Sequence, residues 1–374
     1  MRILYISNLD GSKSAGLSYS VPSQIKAQSK INQVYWYNIN NTDKVKINDS
    51  NFLDMKSTRD FEFKNLHEIP KEYLDLNLVI FQGVYHPGYI NIAKFFMNQK
   101  IPYIIIPRSS LTSSAQNKKK YKKILGNVFL FNKFIKNAIA IQYLTSKEYE
   151  NSGDRWNDKS LIIPNGIEKK ELSNISKPEK ELVGIFIGRA EKYQKGIDLL
   201  LDACQLLKKE LIDNEIRFKL FAASSKKDPD NISKMVSERD LNMLFEVFDG
   251  IYDEEKADEL KKADFFVLTS RFEGLSMGLI EALSYKLPAL VTEGTNMSEE
   301  IEKYGAGWAS DTSVDGIVKS LRKLMSERFE MKDKGEKAIQ LSTNYNWEII
   351  AKNSYQIYKN VLKNASYSSE KSDD

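Results

Sequence analysis

A chain of 374 residues, 41% hydrophobic and 28% charged, exceeds what one core ordinarily holds, so two domains are expected. This composition excludes collagen-like and disulfide-framed classes, and one cysteine, Cys204, rules out an internal disulfide. With a single thiol and no signal-peptide pattern, the chain reads as a reducing, cytoplasmic protein, and apolar runs such as LVIF and YIII are too short to cross a bilayer. The net charge of +4 is unevenly spread: residues 1–166 hold 23 Lys+Arg against 13 Asp+Glu, and the rest hold 32 against 38. The basic first part suggests an anionic partner.

In chain order, RILYI (2–6), VYWYN (34–38), NLVIF (77–81), PYIII (102–106), IAIQY (139–143) and SLII (160–163) read as strands. They are apolar on both faces, as buried parallel strands are, and most gaps between them are long enough for crossover helices. The pattern stops at Ile163-Pro164-Asn165-Gly166, and a polar stretch to about Glu181 reads as a connection. It restarts with LVGIFI (182–187), IRFKLFA (216–222), LFEVF (244–248), DFFVL (264–268) and PALVT (288–292). Asp198 to Leu211 has leucines at helical spacing and reads as one amphipathic helix, as does 346–362. The Ser- and charge-rich tail, 364–374, reads as disordered. The whole is a doubly wound α/β pattern stated twice.

Four stretches bear on chemistry. DGSKSAGLS, Asp10 to Ser18, follows the first strand; Gly11 and Gly16 have the spacing of a phosphate-binding P-loop. Leu17 stands where such a loop needs lysine, so an NTPase is excluded, and no GxGxxG fingerprint is present. The loop is then either an anion cradle or a plain βα turn. GRAEKYQKG places Arg189 and Lys195 at the carboxyl end of a strand, where an arginine fork and a lysine point charge suit a diphosphate. In TSRFEGLSMGLIEALSYKLPALVT, Glu273 falls on a strand-to-helix loop and Glu281, eight positions on, within the helix. Two such carboxylates can accept hydrogen bonds from two polyol parts of one ligand, a sugar ring and a ribose; spacing alone equally allows a helix-cap acid and a surface acid. The fourth stretch, NKKKYKKILGNVFLFNKFIKN (117–137), lies in an acid-free run from Leu111 to Lys147 and interleaves lysines with Tyr121, Phe129, Phe131 and Phe134. It is a solvated helix with one core face, or a surface for anionic lipid through Lys118 to Lys136. No nucleic-acid motif accompanies the charge. Asp228-Pro229-Asp230 has a metal-binding DxD spacing but reads as a polar turn, and His67 and Cys204 have no ligand-spaced neighbours, so no metal is expected.

VGIFIGRA…KGIDLLL followed by TSRFEGLSMGLIEALSYKLPALVT resembles the donor-binding half of retaining glycosyltransferases of family 4, the glycosyl transferases group 1, with Glu273 and Glu281 matching their E-x7-E motif. IIPNGI, FDGIYDEEKADELKKAD and NYNWEIIAKNSYQIY extend the likeness over about 160–362, and it continues more weakly through DLNLVIFQG and IPYIIIPRSSL. The resemblance implies the GT-B fold: two Rossmann-like doubly wound parallel-sheet domains with a cleft between them. Residues 1–166 would bind acceptor, with the helix at about 346–363 packing back on them, and 167–345 would bind a nucleotide sugar. The implied activity is metal-independent hexosyl transfer with retention, from a UDP-sugar in preference to a GDP-sugar, to a glycan or glycoconjugate hydroxyl. Alternatives on the same architecture are a non-catalytic partner of another transferase and a sugar-nucleotide epimerase.

The resemblance also implies roles. Arg189 and Lys195 would neutralise the diphosphate, and Gly16 would let the N-terminal loop approach it. Glu273, with backbone N–H groups of Gly274, Leu275, Ser276 and Met277, would hold the transferred sugar. Glu281 would bind the ribose, and backbone near Ile251 and Tyr252 would meet the base. Two departures stand out. Gln82 occupies the place of a histidine usual after the third strand, near the reacting carbon; either Gln82 does a hydrogen-bonding job there or His86, four residues on, substitutes, His86 being otherwise a packing residue against Tyr85 or Tyr89. Ser109 replaces a usual glycine.

Overall fold

A computed structural model describes residues 1–9, 16–40, 75–117, 120–168, 181–223 and 229–370. The chain divides into two compact units, one of residues 1–166 with 347–374, the other of 167–346.

The first unit is built on β1 (Arg2–Ser7), β2 (Gln33–Asn38), β3 (Leu78–Gln82), β4 (Tyr103–Ile106), β5 (Ala140–Tyr143) and β6 (Ser160–Ile162), all parallel, in the order β2-β1-β3-β4-β5-β6. Every residue of β3, β4 and β5 is buried, which explains their unbroken apolar runs. Its helices are α1 (Gly16–Ser29), α2 (Pro87–Asn98), α3 (Ser113–Asn117), α4 (Lys120–Gly126), α5 (Asn132–Lys136) and α6 (Ser146–Ser152), with a π-helical turn over Asn127–Phe131 joining α4 to α5. The rings of Tyr89, Tyr103 and Phe134 lie 5.1 to 5.4 Å from that of Phe81 at steep angles, so one strand residue anchors α2, β4 and α5.

The second unit holds β7 (Leu182–Arg189), β8 (Ile216–Ala223), β9 (Phe245–Asp249), β10 (Phe265–Leu268), β11 (Ala289–Thr292) and β12 (Gly307–Ser310). Their order is β12-β11-β10-β7-β8-β9, again all parallel. Around them lie α7 (Lys192–Lys195), α8 (Ile197–Leu206), α9 (Lys208–Asp213), α10 (Pro229–Glu238), α11 (Asp253–Lys262), α12 (Met277–Ser284), α13 (Ser298–Tyr304), α14 (Val314–Ser326) and α15 (Met331–Ser342). Counted within the unit, the sheet runs 3-2-1-4-5-6, the Rossmann order, and the direction of winding reverses between β7 and β10.

The last helix, α16 (Trp347–Glu370), belongs to the first unit. Its Ser354 Oγ accepts a hydrogen bond from Gln28 Nε2 of α1 at 2.5 Å, and its Tyr358 hydroxyl donates to Gln142 Oε1 of β5 at 2.6 Å. Gly166 lies so close to Trp347 that a Cβ there would sit 2.6 Å from the indole ring.

Three differences from the sequence reading have physical causes. The expected single helix from Asp198 to Leu211 breaks at Leu207, whose φ of −101° and ψ of 12° lie outside the helical basin, giving α8 and α9. The edge strand β12 has only the pattern GWAS, too short and too glycine-rich to announce itself. Of the tail read as disordered from residue 364, the described part continues α16 to Glu370, because a nucleated helix gains one hydrogen bond per added residue.

Candidate functional site

In the second unit the loops after β7 and β10 meet where the winding reverses, which is where open α/β sheets take their ligands. The segment after β7 is the single turn α7, ended by Gly196 at φ +61°. A Cβ at Gly196 would lie 1.9 Å from the Thr269 carbonyl oxygen, so glycine lets this turn press onto the end of β10. Thr269 Oγ1 donates to the Gly196 carbonyl at 2.9 Å, and the Arg271 N–H donates to the Gln194 carbonyl at 2.8 Å. Arg271 reaches across with both guanidinium nitrogens to Asp198 at 2.7 Å and lies 4.4 Å over the Tyr193 ring. The hydrogen bonds to Asp198 raise the guanidinium pKa further. The two loops are therefore pinned at several points.

Held by this clamp, Lys195 Nζ lies 2.5 Å from Glu273 Oε1, with side chains 8% and 9% exposed. Ser270 Oγ donates to the same carboxylate oxygen at 2.9 Å, and Asn296 Nδ2 donates to the Glu273 carbonyl. Asn296 follows β11 in the left-handed region, so β11 also fixes the loop. A buried lysine–carboxylate pair is stable only when each partner compensates the other. The lysine keeps donors beyond the one it gives Glu273, and the carboxylate keeps acceptor sites.

Gly274, Leu275 and Ser276 form the rest of the loop, and Met277 opens α12. Ser276 Oγ caps the helix by accepting from the Leu279 N–H at 3.4 Å. Gly278 sits where a Cβ would be 3.0 Å from the Ile187 carbonyl of β7, so α12 packs tightly against the strand beside β10. Glu281, one turn into α12, pairs with Lys256 of α11 at 2.7 Å, both partly buried. Ile251 is buried and Tyr252 is the N-cap of α11. Arg189, at the end of β7, is exposed, and its Nη2 donates to Gln194 Oε1 at 3.3 Å. Thus Lys195 and Glu273 are in direct contact, Arg189 is linked to their loop through Gln194, and Glu281 stands apart with Lys256. Sequence reasoning missed Lys256, Asp198, Arg271, Ser270 and Asn296. Lys256 lies 25 residues from its partner, and helical periodicity carries no signal for such a pair.

In the first unit, Gln82 ends β3 buried, its amide committed on both sides: Nε2 donates to Gln24 Oε1 at 3.0 Å, and Oε1 accepts from Arg108 Nε at 3.0 Å and Nη2 at 2.7 Å. Arg108 also donates to Ser20 Oγ and Asn165 Oδ1. Burial lowers the Arg108 pKa to about 10, against the opposing pull of Glu148. Arg108 and Ser109 have φ of +51° and +66°. The backbone at Ser109 therefore has the conformation a glycine takes freely, and the Ser109 N–H donates to Glu148 Oε1. His86 caps α2 and packs on Tyr89 with ring centroids 5.2 Å apart; its Nδ1 is buried without a partner, and burial lowers its pKa. Gly16 opens α1, and the rest of the loop, residues 10–15, lies outside the described residues, as do His67 and Asp228. Pro229 starts α10, as proline does at a first helical position. Among the described residues no group of three or more His, Cys, Asp or Glu is placed to hold a metal, and no helix is long and apolar enough to cross a membrane.

Two doubly wound parallel-sheet units of this kind are the GT-B glycosyltransferase architecture, and solved structures bear this out. HepE of Anabaena, in complex with UDP and glucose, superimposes with a TM-score of 0.70 at 12% identity, covering 96% of this chain and 100% of that one. A glycosyltransferase from Rickettsia africae gives 0.72 at 16% identity over 97% and 99%. Residues 168–341, nearly the whole of the second unit, match the family model for glycosyl transferases group 1. An uncharacterized glycosyltransferase of Methanocaldococcus jannaschii is 23% identical over 83% of this chain and 89% of its own length.

Proposed function

We propose that this chain is a retaining hexosyltransferase that moves a sugar from a nucleotide sugar, UDP-linked in preference to GDP-linked, to a hydroxyl of a glycan, lipid-linked or protein-linked glycoconjugate acceptor. The observation that carries it is the buried Lys195–Glu273 pair at the reversal point of a group 1 glycosyltransferase unit. On this reading Lys195 gives one donor to Glu273 and others to the donor diphosphate, whose second charge meets Arg189. Glu273 and the N–H groups from Gly274 to Met277 hold the departing sugar. Glu281, kept upright by Lys256, accepts from the ribose hydroxyls, with the base near Ile251 and Tyr252. Developing charge on the leaving diphosphate is met by fixed cations, so transfer needs no metal and proceeds in EDTA. The UDP in the HepE complex supports the choice of nucleotide. Gln82 is placed to hold Arg108, and His86, uncharged at neutral pH, is the candidate for contact with the acceptor.

Titration calorimetry with UDP, followed by a thermal-shift screen of nucleotide sugars, tests the reading. UDP binding that weakens in Lys195→Ala and a donor-selective shift are expected, with transfer lost in folded Glu273→Gln. Absent nucleotide binding overturns it in favour of a non-catalytic partner. Donor conversion without acceptor overturns it in favour of an epimerase.

A further inference from the structure

The segment joining α4, the π turn and α5 is apolar on two faces. Inward, Phe131, Phe134 and Ile135 join the core of the first unit. Outward, Tyr121, Ile124, Leu125, Val128 and Phe129 follow the i, i+3, i+4, i+7, i+8 spacing of one helix side, and all are exposed: Tyr121 at 83%, Leu125 at 59%, Val128 at 62% and Phe129 at 77%. The core needs one apolar stripe from this segment, and the second contributes nothing to it. Contiguous apolar surface of this kind ordinarily marks a contact.

The rim of the stripe is cationic. Lys120, Lys122, Lys133 and Lys136 are exposed, and no Asp or Glu occurs anywhere from Leu76 to Lys147. Lys123 instead turns inward; its Nζ donates to the Ala115 carbonyl and lies 5.4 Å over the Tyr85 ring, fastening α4 to the body of the unit. The outward side chains are thus presented by an anchored segment.

We propose that this face docks on an anionic bilayer surface, with Tyr121, Ile124, Leu125, Val128 and Phe129 entering the boundary between headgroups and acyl chains and the lysines meeting acidic headgroups. Aromatic and aliphatic residues on one side, flanked by lysine, are what an interfacial helix requires. Symmetric pairing of two copies through this stripe would bring like lysine sets together, which disfavours a second chain as occupant. The segment lies on the membrane and does not span it; no helix among the described residues is long and apolar enough to do so. The inference rests on the first unit alone and is independent of the donor reading.

Co-sedimentation with phosphatidylcholine vesicles, with and without about one third phosphatidylglycerol, tests it. The full chain is expected to bind the anionic vesicles ~10-fold or more tightly than the neutral ones, with affinity falling as salt rises. Val128→Ser/Phe129→Ser should weaken that binding ~10-fold or more. Lys120→Gln/Lys122→Gln/Lys133→Gln should abolish the preference for anionic lipid. All these side chains are exposed, so circular dichroism and Tm should match the parent. In Phe129→Trp, brominated lipid should quench the new emission. Equal binding to both vesicle types, or none, overturns the proposal, as does unaltered binding by the apolar variant. Dimerisation by sedimentation that is lost in Val128→Ser/Phe129→Ser, without vesicle binding, assigns the face to a second copy instead.

Discussion

At the scale of single residues, the Lys195–Glu273 pair makes function and stability separable. Each charge is buried, so removing one partner strands the other; such losses run to about 3–5 kcal/mol. Lys195→Ala should therefore lower the unfolding free energy measured in urea by an amount of that order, and Lys195→Met/Glu273→Leu should recover most of it while the nucleotide binding proposed for this site stays weakened. A double variant no more stable than Lys195→Ala would contradict this account of the pair. Glu148 offers a second, pH-resolved prediction. It is fully buried, accepts from the Ser109 and Leu144 N–H groups, and burial raises its pKa above the ordinary 4.5. Between the ordinary and the raised value the native state binds more protons than the unfolded chain, so stability falls as pH rises through that window. Glu148→Gln carries no such proton. Its stability relative to the parent should improve as pH rises above 4.5 and then level off once Glu148 has ionised in the folded state, as followed by denaturant titrations; a flat difference throughout would show that Glu148 does not titrate differently on folding.

At the scale of elements, what was legible depended on whether the signal was local. The eleven strands read from sequence show because parallel strands carry unbroken apolar runs, and the strand–loop–helix around Glu273 shows because DFFVL, the glycine-bearing loop and the periodic helix adjoin. The clamp between the β7 and β10 loops was not legible: Arg271 meets Asp198 across 73 residues, and no periodicity links them. Likewise the periodicity of 117–137 was visible, but the outward turn of its second stripe is set by how the π turn seats Phe131 and Phe134 in the core. The clamp can be tested through Gly196. Gly196→Ala combines a left-handed backbone with a Cβ against the Thr269 carbonyl, whereas Gly305→Ala, at a matching left-handed φ of +65° and ψ of 30°, brings the new atom only against the flexible end of Lys337 and meets mainly the backbone cost. Gly305→Ala should cost about 1–2 kcal/mol. Gly196→Ala should cost at least ~3 kcal/mol and abolish nucleotide binding, because the β7 and β10 loops can no longer meet. Similar Tm values for the two variants would refute the steric argument.

At the scale of the whole molecule, the two units differ in how the chain builds them. The second is continuous in sequence, 167–346, and closes with a parallel bridge between Ile167 and Asn346. The first is discontinuous: residues 1–166 lack α16, which contributes buried Trp347, Ile350, Ala351, Ser354 and Tyr358. Without it Gln28 and Gln142 lose buried partners, and an unpaired buried polar group costs about 1–3 kcal/mol each. Adding the apolar area re-exposed, at about 25 cal/mol per Å2, the loss rivals the whole stability of an ordinary domain. The isolated fragment 167–346 should therefore unfold in one cooperative transition by calorimetry. Residues 1–166 alone should show none, and should regain one when 347–370 is fused through a flexible linker. A cooperative transition in 1–166 alone would mean that α16 covers a core already complete without it.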